Sequence, residues 1–253
     1  MTPPLTLCLD VGGTHLKRAV CDAGGELVWG PSRVPTPRPA HPEAVLDALL
    51  DGLTGADAPR FDRVSVGFPG VVVDGTVSTA PNLDGAETHW PGFALADRIR
   101  GVTGAPCRAA NDADVQGFGA IDGRGVEMVL TLGTGMGAAL FVDGVLVPNL
   151  ELGHHPLHDG HTYEQLVGKA ARERDGLEAW DAHLERVLAT VQRIFNPHRI
   201  WLGGGHAQDL TDRMALPSGV HVVSNDAGLW GGLGLWRSGH GESRPLEHPD
   251  PST

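Results

Sequence analysis

Cysteine, lysine and long apolar runs are all scarce in this 253-residue chain. The three cysteines, Cys8, Cys21 and Cys107, are odd in number and widely spaced, which argues against a disulfide framework and for buried free thiols. No apolar stretch reaches the roughly 20 residues that span a bilayer. The opening MTPPLTLCLD has neither the basic start nor the apolar run of a secretory signal, so a cytoplasmic protein is expected. Basic residues are outnumbered, 19 against 31 acidic ones, for a formal net charge of −12. That balance excludes the broad basic field that nucleic acid or an anionic membrane surface attracts. Only Lys17 and Lys169 are lysines. An acidic chain of this kind still binds phosphate locally, through backbone N–H groups and a few placed cations.

Glycine and proline are abundant and punctuate the pattern. LTLCLDV (5–11) reads as a buried strand, LKRAVCD (16–22) as its hairpin partner and ELVWG as a third strand. A Pro-rich link, PSRVPTPRPAHP, leads to a helix over EAVLDALLDGL, and RVSVGFPG returns as a strand. From about residue 126, EMVLTLGTGMGAALFVDGVLV repeats the opening order of strand, Gly-rich turn, strand, turn and strand. The two openings lie about 120 residues apart, too far for a solenoid repeat, which points to duplication of a whole α/β domain. A helix is expected over 177–195, with Leu177, Trp180, Leu184, Leu188, Val191 and Phe195 in one core-facing stripe ended by Asn196-Pro197. RIWLGGGHA follows as a strand into a glycine turn, NDAGLWGGLGLW as a closing helix, and residues 237–253 as an aperiodic tail.

Five segments carry candidate chemistry. DVGGTHLK, from Asp10 to Lys17, sits between two strands, so it fails the context of a dinucleotide fingerprint, and it lacks the P-loop spacing. A glycine hairpin there lets phosphate approach backbone N–H groups, with Asp10 placed to hold Mg²⁺ through water and Thr14 to donate to a phosphate oxygen; a plain Gly-rich hairpin is the alternative. LGTGMG (132–137) occupies the matching place in the second half, and two such loops facing each other would clamp a polyphosphate chain. In AANDADVQG, Asp112 follows a short apolar strand, where a carboxylate suits a general base toward a hydroxyl; alternatively Asp112 or Asp114 caps the helix that follows. ELGHHPLHDGHTYEQ (151–165) packs four histidines and two glutamates into fifteen positions, as a metal site, a sugar pocket or a wet loop. WLGGGHA (201–207) offers glycines at a strand end, for a nucleotide or simply for a tight turn.

In this order the segments resemble the ROK sugar kinases of the actin-like ATPase superfamily, over about residues 5 to 236. DVGGTHLK looks like their first phosphate motif and GFPGVVVDGTV with PNLDG like their sugar-side loops. ANDADVQG looks like the catalytic segment, TLGTGMGAALFVDG like the second phosphate motif and WLGGG like the adenosine motif. The polyphosphate glucokinase branch is the most similar, through LGTGxGxALFxxGxLxPNxExGH. The resemblance implies an α/β fold of two duplicated RNase H-like (actin-like ATPase) domains flanking a cleft, 1–111 and 112–236, followed by the tail. It implies Asp112 as the base that deprotonates the sugar 6-hydroxyl, with Asn82, Asn111, Glu151, His154 and Glu164 bonding the sugar. Asp10 would act near Mg²⁺. Gly12, Gly13, Thr14, Lys17, Gly133, Thr134 and Gly135 would serve the phosphates, and Gly203, Gly204 and Gly205 the nucleotide.

Many family members follow the ELGH histidine with a cysteine-rich zinc loop. HPLHDGHTYEQ has no cysteine, so no structural zinc is expected and His154 is left to the sugar; zinc held by His155, His158 and His161 is the alternative. The resemblance thus implies a homodimeric kinase for glucose or a close hexose, using Mg²⁺ with ATP or inorganic polyphosphate, and no nucleic-acid or membrane partner. Mannose, fructose or N-acetylmannosamine as acceptor, or a silent sugar sensor, are the other readings. A regulator would carry a helix-turn-helix segment ahead of Asp10, where nine residues stand. A polyphosphate track would need cations beyond the cleft, with Arg18, Lys169, Arg172 and Arg174 as candidates; a run such as KAARER is more often one solvated helix face.

Overall fold

The computed structural model describes residues 3–83, 88–224 and 230–237. The expected tail beyond 237, the start of the expected closing helix (225–229) and part of PNLDG (84–85) lie outside the described residues.

The first half runs β1 (Thr6–Val11), β2 (His15–Cys21), β3 (Leu27–Pro35), α1 (Pro42–Leu50), β4 (Arg63–Phe68), the short hairpin β5 (Val72–Val73) and β6 (Thr76–Val77), α2 (Leu95–Thr103) and β7 (Cys107–Asn111). The short α3 (Asp112–Phe118) leads to β8 (Val126–Leu132), β9 (Met136–Val142) and β10 (Val145–Val147). A small hairpin, β11 (Pro156–His158) with β12 (His161–Thr162), precedes α4 (Tyr163–Val167) and α5 (Lys169–Phe195). Then come β13 (Arg199–Gly203), α6 (Leu210–Arg213), β14 (Val220–Val222) and a closing 3-10 helix, Gly231–Trp236.

Two five-stranded sheets result, ordered β3-β2-β1-β4-β7 and β10-β9-β8-β13-β14. In each, the central strand pairs antiparallel with its hairpin partner and parallel with the strand on its other side. β1 is apolar on both faces because both are covered. Leu7, Leu9 and Val11 join the core shared with α1 and Trp90, whereas Cys8 faces Ala19, Cys21 and the closing 3-10 helix. All three cysteines are free thiols. The second core gathers Met128, Leu130, Tyr163, Trp180, Leu184 and Leu188. Among the described residues, no helix is long and apolar enough to cross a membrane.

Three expectations need correction. PSRVP is not a link: β3 continues through it to Pro35, pairing with β2 as far as His15. As an edge strand, β3 tolerates prolines that would break a central ladder. The helix expected from residue 177 does begin there, just past a non-helical Gly176 (φ 80, ψ 171), but a further helical stretch from Lys169 leads into it and its first residue leaves the expected stripe. Leu177, just past that break, falls off the stripe and is 46 % exposed, while Trp180, Leu184, Leu188 and Val191 are buried. The closing segment is a 3-10 helix, and its glycines are required by contact: a Cβ on Gly231 would lie 1.7 Å from the Val115 carbonyl oxygen. It packs back onto the first sheet, where Ser65 Oγ donates to the Gly232 carbonyl at 2.6 Å.

Candidate active site

A cavity of about 380 Å³ opens between the ends of the two sheets, lined by residues of both. Its position follows from strand order, since β1, β4, β7 and β8 all end there, β7 running directly into α3 and the others into turns.

The turn 12–14 links β1 to β2. Gly12 N–H donates to His15 O at 3.1 Å, and a Cβ on Gly12 would sit 2.6 Å from that oxygen. The carbonyls of the turn accept from residues 36–38: Thr36 Oγ1 donates to Gly12 O (2.6 Å), Arg38 to Gly13 O, and Thr36 N–H to Thr14 O (3.0 Å). These bonds occupy acceptors that would otherwise repel an anion at the turn. Asp10, at the end of β1, pairs with Lys17 Nζ at 2.7 Å.

Across the cavity, the turn 133–135 links β8 to β9. The Gly133 and Thr134 carbonyls accept from Lys169 N–H, at 3.0 and 3.1 Å, at the start of α5. A Cβ on Gly133 would meet nothing within 4 Å, whereas one on Gly135 would lie 1.9 Å from Glu164 Oε2. Gly135 therefore permits the approach of α4, and Gly133 leaves open space. Of the expected nucleotide glycines, only Gly204 lines the cavity. It has φ +86, and a Cβ there would come 2.3 Å from Leu132 O. Gly203 packs against Gln116 and Gly205 faces open space, both outside the lining.

Asn82, Asn111, Asp112, Glu151, His154 and Glu164 all line the same cavity. Neither aspartate caps α3. Asn111 does, its Oδ1 accepting from Ala113 N–H at 2.8 Å, while its Nδ2 donates to Gly70 O (3.2 Å) and Glu151 Oε1 (3.3 Å). Asp112 is thereby left facing the cavity, its Oδ1 accepting from Ala113 N–H at 2.8 Å. Burial pushes the Asp112 carboxyl up to about 7, and the Asp10 carboxylate adds to the effect against the opposing Ala113 N–H. Burial also raises Glu151, with Glu164 adding and His154, 3.4 Å away, opposing.

The remaining histidines belong to the β11–β12 hairpin, turned by Asp159 (φ 49) and Gly160 (φ 77). His158 pairs with Asp159 at 3.1 Å, His155 lies 6.2 Å from the Tyr163 ring, and His161 Nδ1 is 3.1 Å from Asp159 O. Among the described residues, no three His, Cys, Asp or Glu side chains gather as a metal site.

The expected basic track is not assembled. Arg18 is buried on the opposite face of the first sheet, bonded to Asp51 O at 2.6 Å and Ser32 Oγ at 2.9 Å. Arg172 is held by His206 and Asp209, Arg174 by Asp175, and Lys169 lies 3.7 Å from Glu173.

A family model described as "ROK family" matches residues 6–170. The chain belongs to the ROK family. Polyphosphate glucokinase of Mycobacterium leprae is 30 % identical over 242 residues, covering 88 % of this ROK chain and 72 % of the relative. The crystal structure of an inorganic polyphosphate/ATP-glucomannokinase from Arthrobacter sp. strain KM is 34 % identical, with a TM-score of 0.79 over 92 % of this chain and 97 % of that one. A ROK family glucokinase from Streptomyces griseus, 22 % identical, shares the fold with a TM-score of 0.73 over 91 % and 98 % of the two chains.

Sequence reading missed several residues of the ROK cavity. Arg38, Gln116 and Thr131 line it, but Arg38 sits in what reads as a Pro-rich link, and Gln116 and Thr131, although inside ANDADVQG and TLGTGMG, are given no role by those motifs. From sequence alone Asp114 reads only as a cap. It is buried, accepts from Asn149 N–H at 3.1 Å through Oδ2, and leaves Oδ1 without a partner. Burial pushes its carboxyl up to about 7. Asn149, at φ 60, clasps β5 from the other half, donating to Val72 O and accepting from Val72 N–H, both at 3.1 Å. Asp114 thus anchors the segment that carries Glu151. Asp114→Ala is expected to raise the KM for sugar about three- to tenfold, the worth of one hydrogen bond, with a smaller change in kcat. Asp114→Asn, which keeps an acceptor for Asn149, should restore most of it. A loss confined to kcat in steady-state kinetics would rule out this anchoring role.

Proposed function

We propose that this ROK chain is a hexose kinase that transfers a phosphoryl group from ATP or inorganic polyphosphate to the 6-hydroxyl of glucose or a close hexose. The observation that carries the reading is the Asp112 carboxyl, facing one cavity between two glycine turns and a cluster of sugar-type polar groups. The names of its relatives supply the donor and acceptor classes.

In this reading Asn82, Asn111, Glu151, His154 and Glu164 hold the sugar hydroxyls. Asp112 accepts the hydroxyl proton as that oxygen attacks the terminal phosphorus. The two turns, with Lys17, hold the donor phosphates. The rest of the catalysis is positioning, with closure over the bound sugar excluding water. Asp10 and Asp112 are hard oxygen donors whose mutual repulsion raises Asp112, and this donor set fits Mg²⁺ held by Asp10, through water, and by phosphate oxygens. When bound, Mg²⁺ would neutralise charge on the transferring phosphoryl group. The matching strand orders support two duplicated RNase H-like domains, 1–111 and 112–236, closing on the cavity. We carry the homodimer as part of the same reading.

A base near 7 that must be ionised predicts an acid limb: kcat/KM should rise with pH and level off once Asp112 has lost its proton. Initial rates across neutral pH, with saturating Mg²⁺, measure it. A profile flat through neutrality would count against Asp112 as the base.

The function itself is tested by a coupled assay for hexose 6-phosphate. ATP and polyphosphate are crossed with glucose, mannose, fructose and N-acetylmannosamine. Product with glucose and either donor supports the reading, and absence of product from every pair would overturn it.

A further inference from the structure

Lys17 and Arg33 are direct cross-strand neighbours on β2 and β3, and Lys17 is in turn the cross-strand neighbour of Asp10 on β1. Paired residues on adjacent strands point to the same face. Asp10, Lys17 and Arg33 therefore form one row across the first sheet, about 10 Å long at the usual strand spacing. It starts in the cavity, which Asp10 and Lys17 line, and ends on the edge strand β3, where Arg33 is exposed. Farther along the same face, Cys8, Ala19 and Cys21 are covered by the closing 3-10 helix; the row lies beyond that cover.

We propose that this row is a lane for a linear polyphosphate donor, which leaves the cavity past Lys17 and crosses the sheet edge at Arg33. The inference rests on the kinase reading above and deepens it by assigning the donor's path. Three features favour it. First, among the described residues no acidic side chain pairs with Arg33, although the chain carries a net charge of −12. The arginines that serve the fold, such as Arg18, Arg172 and Arg213, are bonded to carbonyl or carboxylate oxygens. Second, Arg38 also lines the cavity, bonded to the Gly13 carbonyl, so the first turn has a second cation beside it besides Lys17. Third, β3 is an edge strand, so a chain of any length can continue into solvent beyond Arg33. A uniform polyanion gains a contact at each cation it passes, whereas the phosphates of ATP end at its nucleoside.

Arg33→Gln and the charge reversal Arg33→Glu test the lane, with Arg186→Gln on the far face of α5 as a control. Rates at fixed ionic strength are compared for long-chain polyphosphate, tripolyphosphate and ATP. The expected result is a KM for long-chain polyphosphate raised about two- to fivefold in Arg33→Gln and further in Arg33→Glu, as for loss of one exposed charge contact. KM for ATP and tripolyphosphate should stay unchanged. Equal rises for all donors, no rise for any, or turnover with ATP alone would each overturn the lane while leaving the kinase reading intact. Calorimetric binding of long-chain polyphosphate in the absence of hexose reads the lane without turnover. If no donor supports turnover, the kinase reading fails and the donor lane with it; weakening of that binding by Arg33→Glu would then leave the row as a polyphosphate-binding site only, and equal binding by both proteins would remove that too.

Discussion

Replacing Asp112 with asparagine is expected to lower kcat by about two to four orders of magnitude, the usual worth of a general base, and at the same time to make the folded protein more stable above neutral pH. The two effects share a cause. Burial and the Asp10 carboxylate raise the Asp112 carboxyl from 3.8 to about 7. A carboxyl whose folded value lies above its unfolded one costs stability as pH rises from the unfolded value, and the full cost is reached above the folded value. Asparagine keeps the shape and carries no charge to bury, so its melting temperature should exceed that of the parent on the alkaline side and approach it on the acid side. Sugar binding should survive, because Asn111, Glu151 and Glu164 are untouched. Thermal unfolding at several pH values and steady-state kinetics on one preparation check both halves. Undiminished turnover would remove Asp112 from the mechanism. A lowered melting temperature above neutrality would mean that Asp112 makes a stabilising contact as the carboxylate.

The largest loss of stability is expected from Trp180→Ala, about 3–5 kcal/mol for an aromatic ring removed from a core. Trp180 is fully buried and its Nε1–H donates to Val167 O at 2.9 Å, tying α5 to α4. The guanidinium carbons of Arg172 and Arg213 lie 5.4 and 5.5 Å from its ring. Alanine would leave a cavity and remove the support beneath both cations, which also pair with Asp209 and Asp181. Trp180→Phe keeps most of the volume and should cost far less, about 1 kcal/mol for the lost hydrogen bond plus a smaller packing defect. Urea unfolding of the three proteins measures the series. A loss below about 1 kcal/mol in the alanine variant would show that the core closes over the site. Because α5 starts beneath the second turn through Lys169 N–H, the alanine variant should also show a raised KM for donor.

Local pattern fixed much of this protein. Alternation and turn residues located β1, β2 and β4 and both glycine turns, because strand and turn preferences act within a few residues. The stripe Trp180, Leu184, Leu188 and Val191 is core for the same reason, since helical periodicity is written into the sequence. The segments ANDADVQG and ELGHH were legible as chemistry, and through their resemblance as one kind of chemistry. Other features depend on what lies far off in sequence. β3 extends through PSRVP because β2 offers it an unpaired edge, and a proline count cannot register that partner. Leu177 leaves the core because Gly176 breaks the helix axis one residue earlier. Asn111, not an aspartate, caps α3, and that choice frees Asp112 for the cavity. The sequence determined which residue types were present and in what local order. Which of them share a cavity was decided only in three dimensions: Arg38 reaches Gly13, and Asp114 reaches Asn149, across 25 and 35 residues of chain. The pairing of β3 with β2 sets the first meeting and the placement of α3 beside residue 149 the second, and no local preference encodes a contact between segments so far apart.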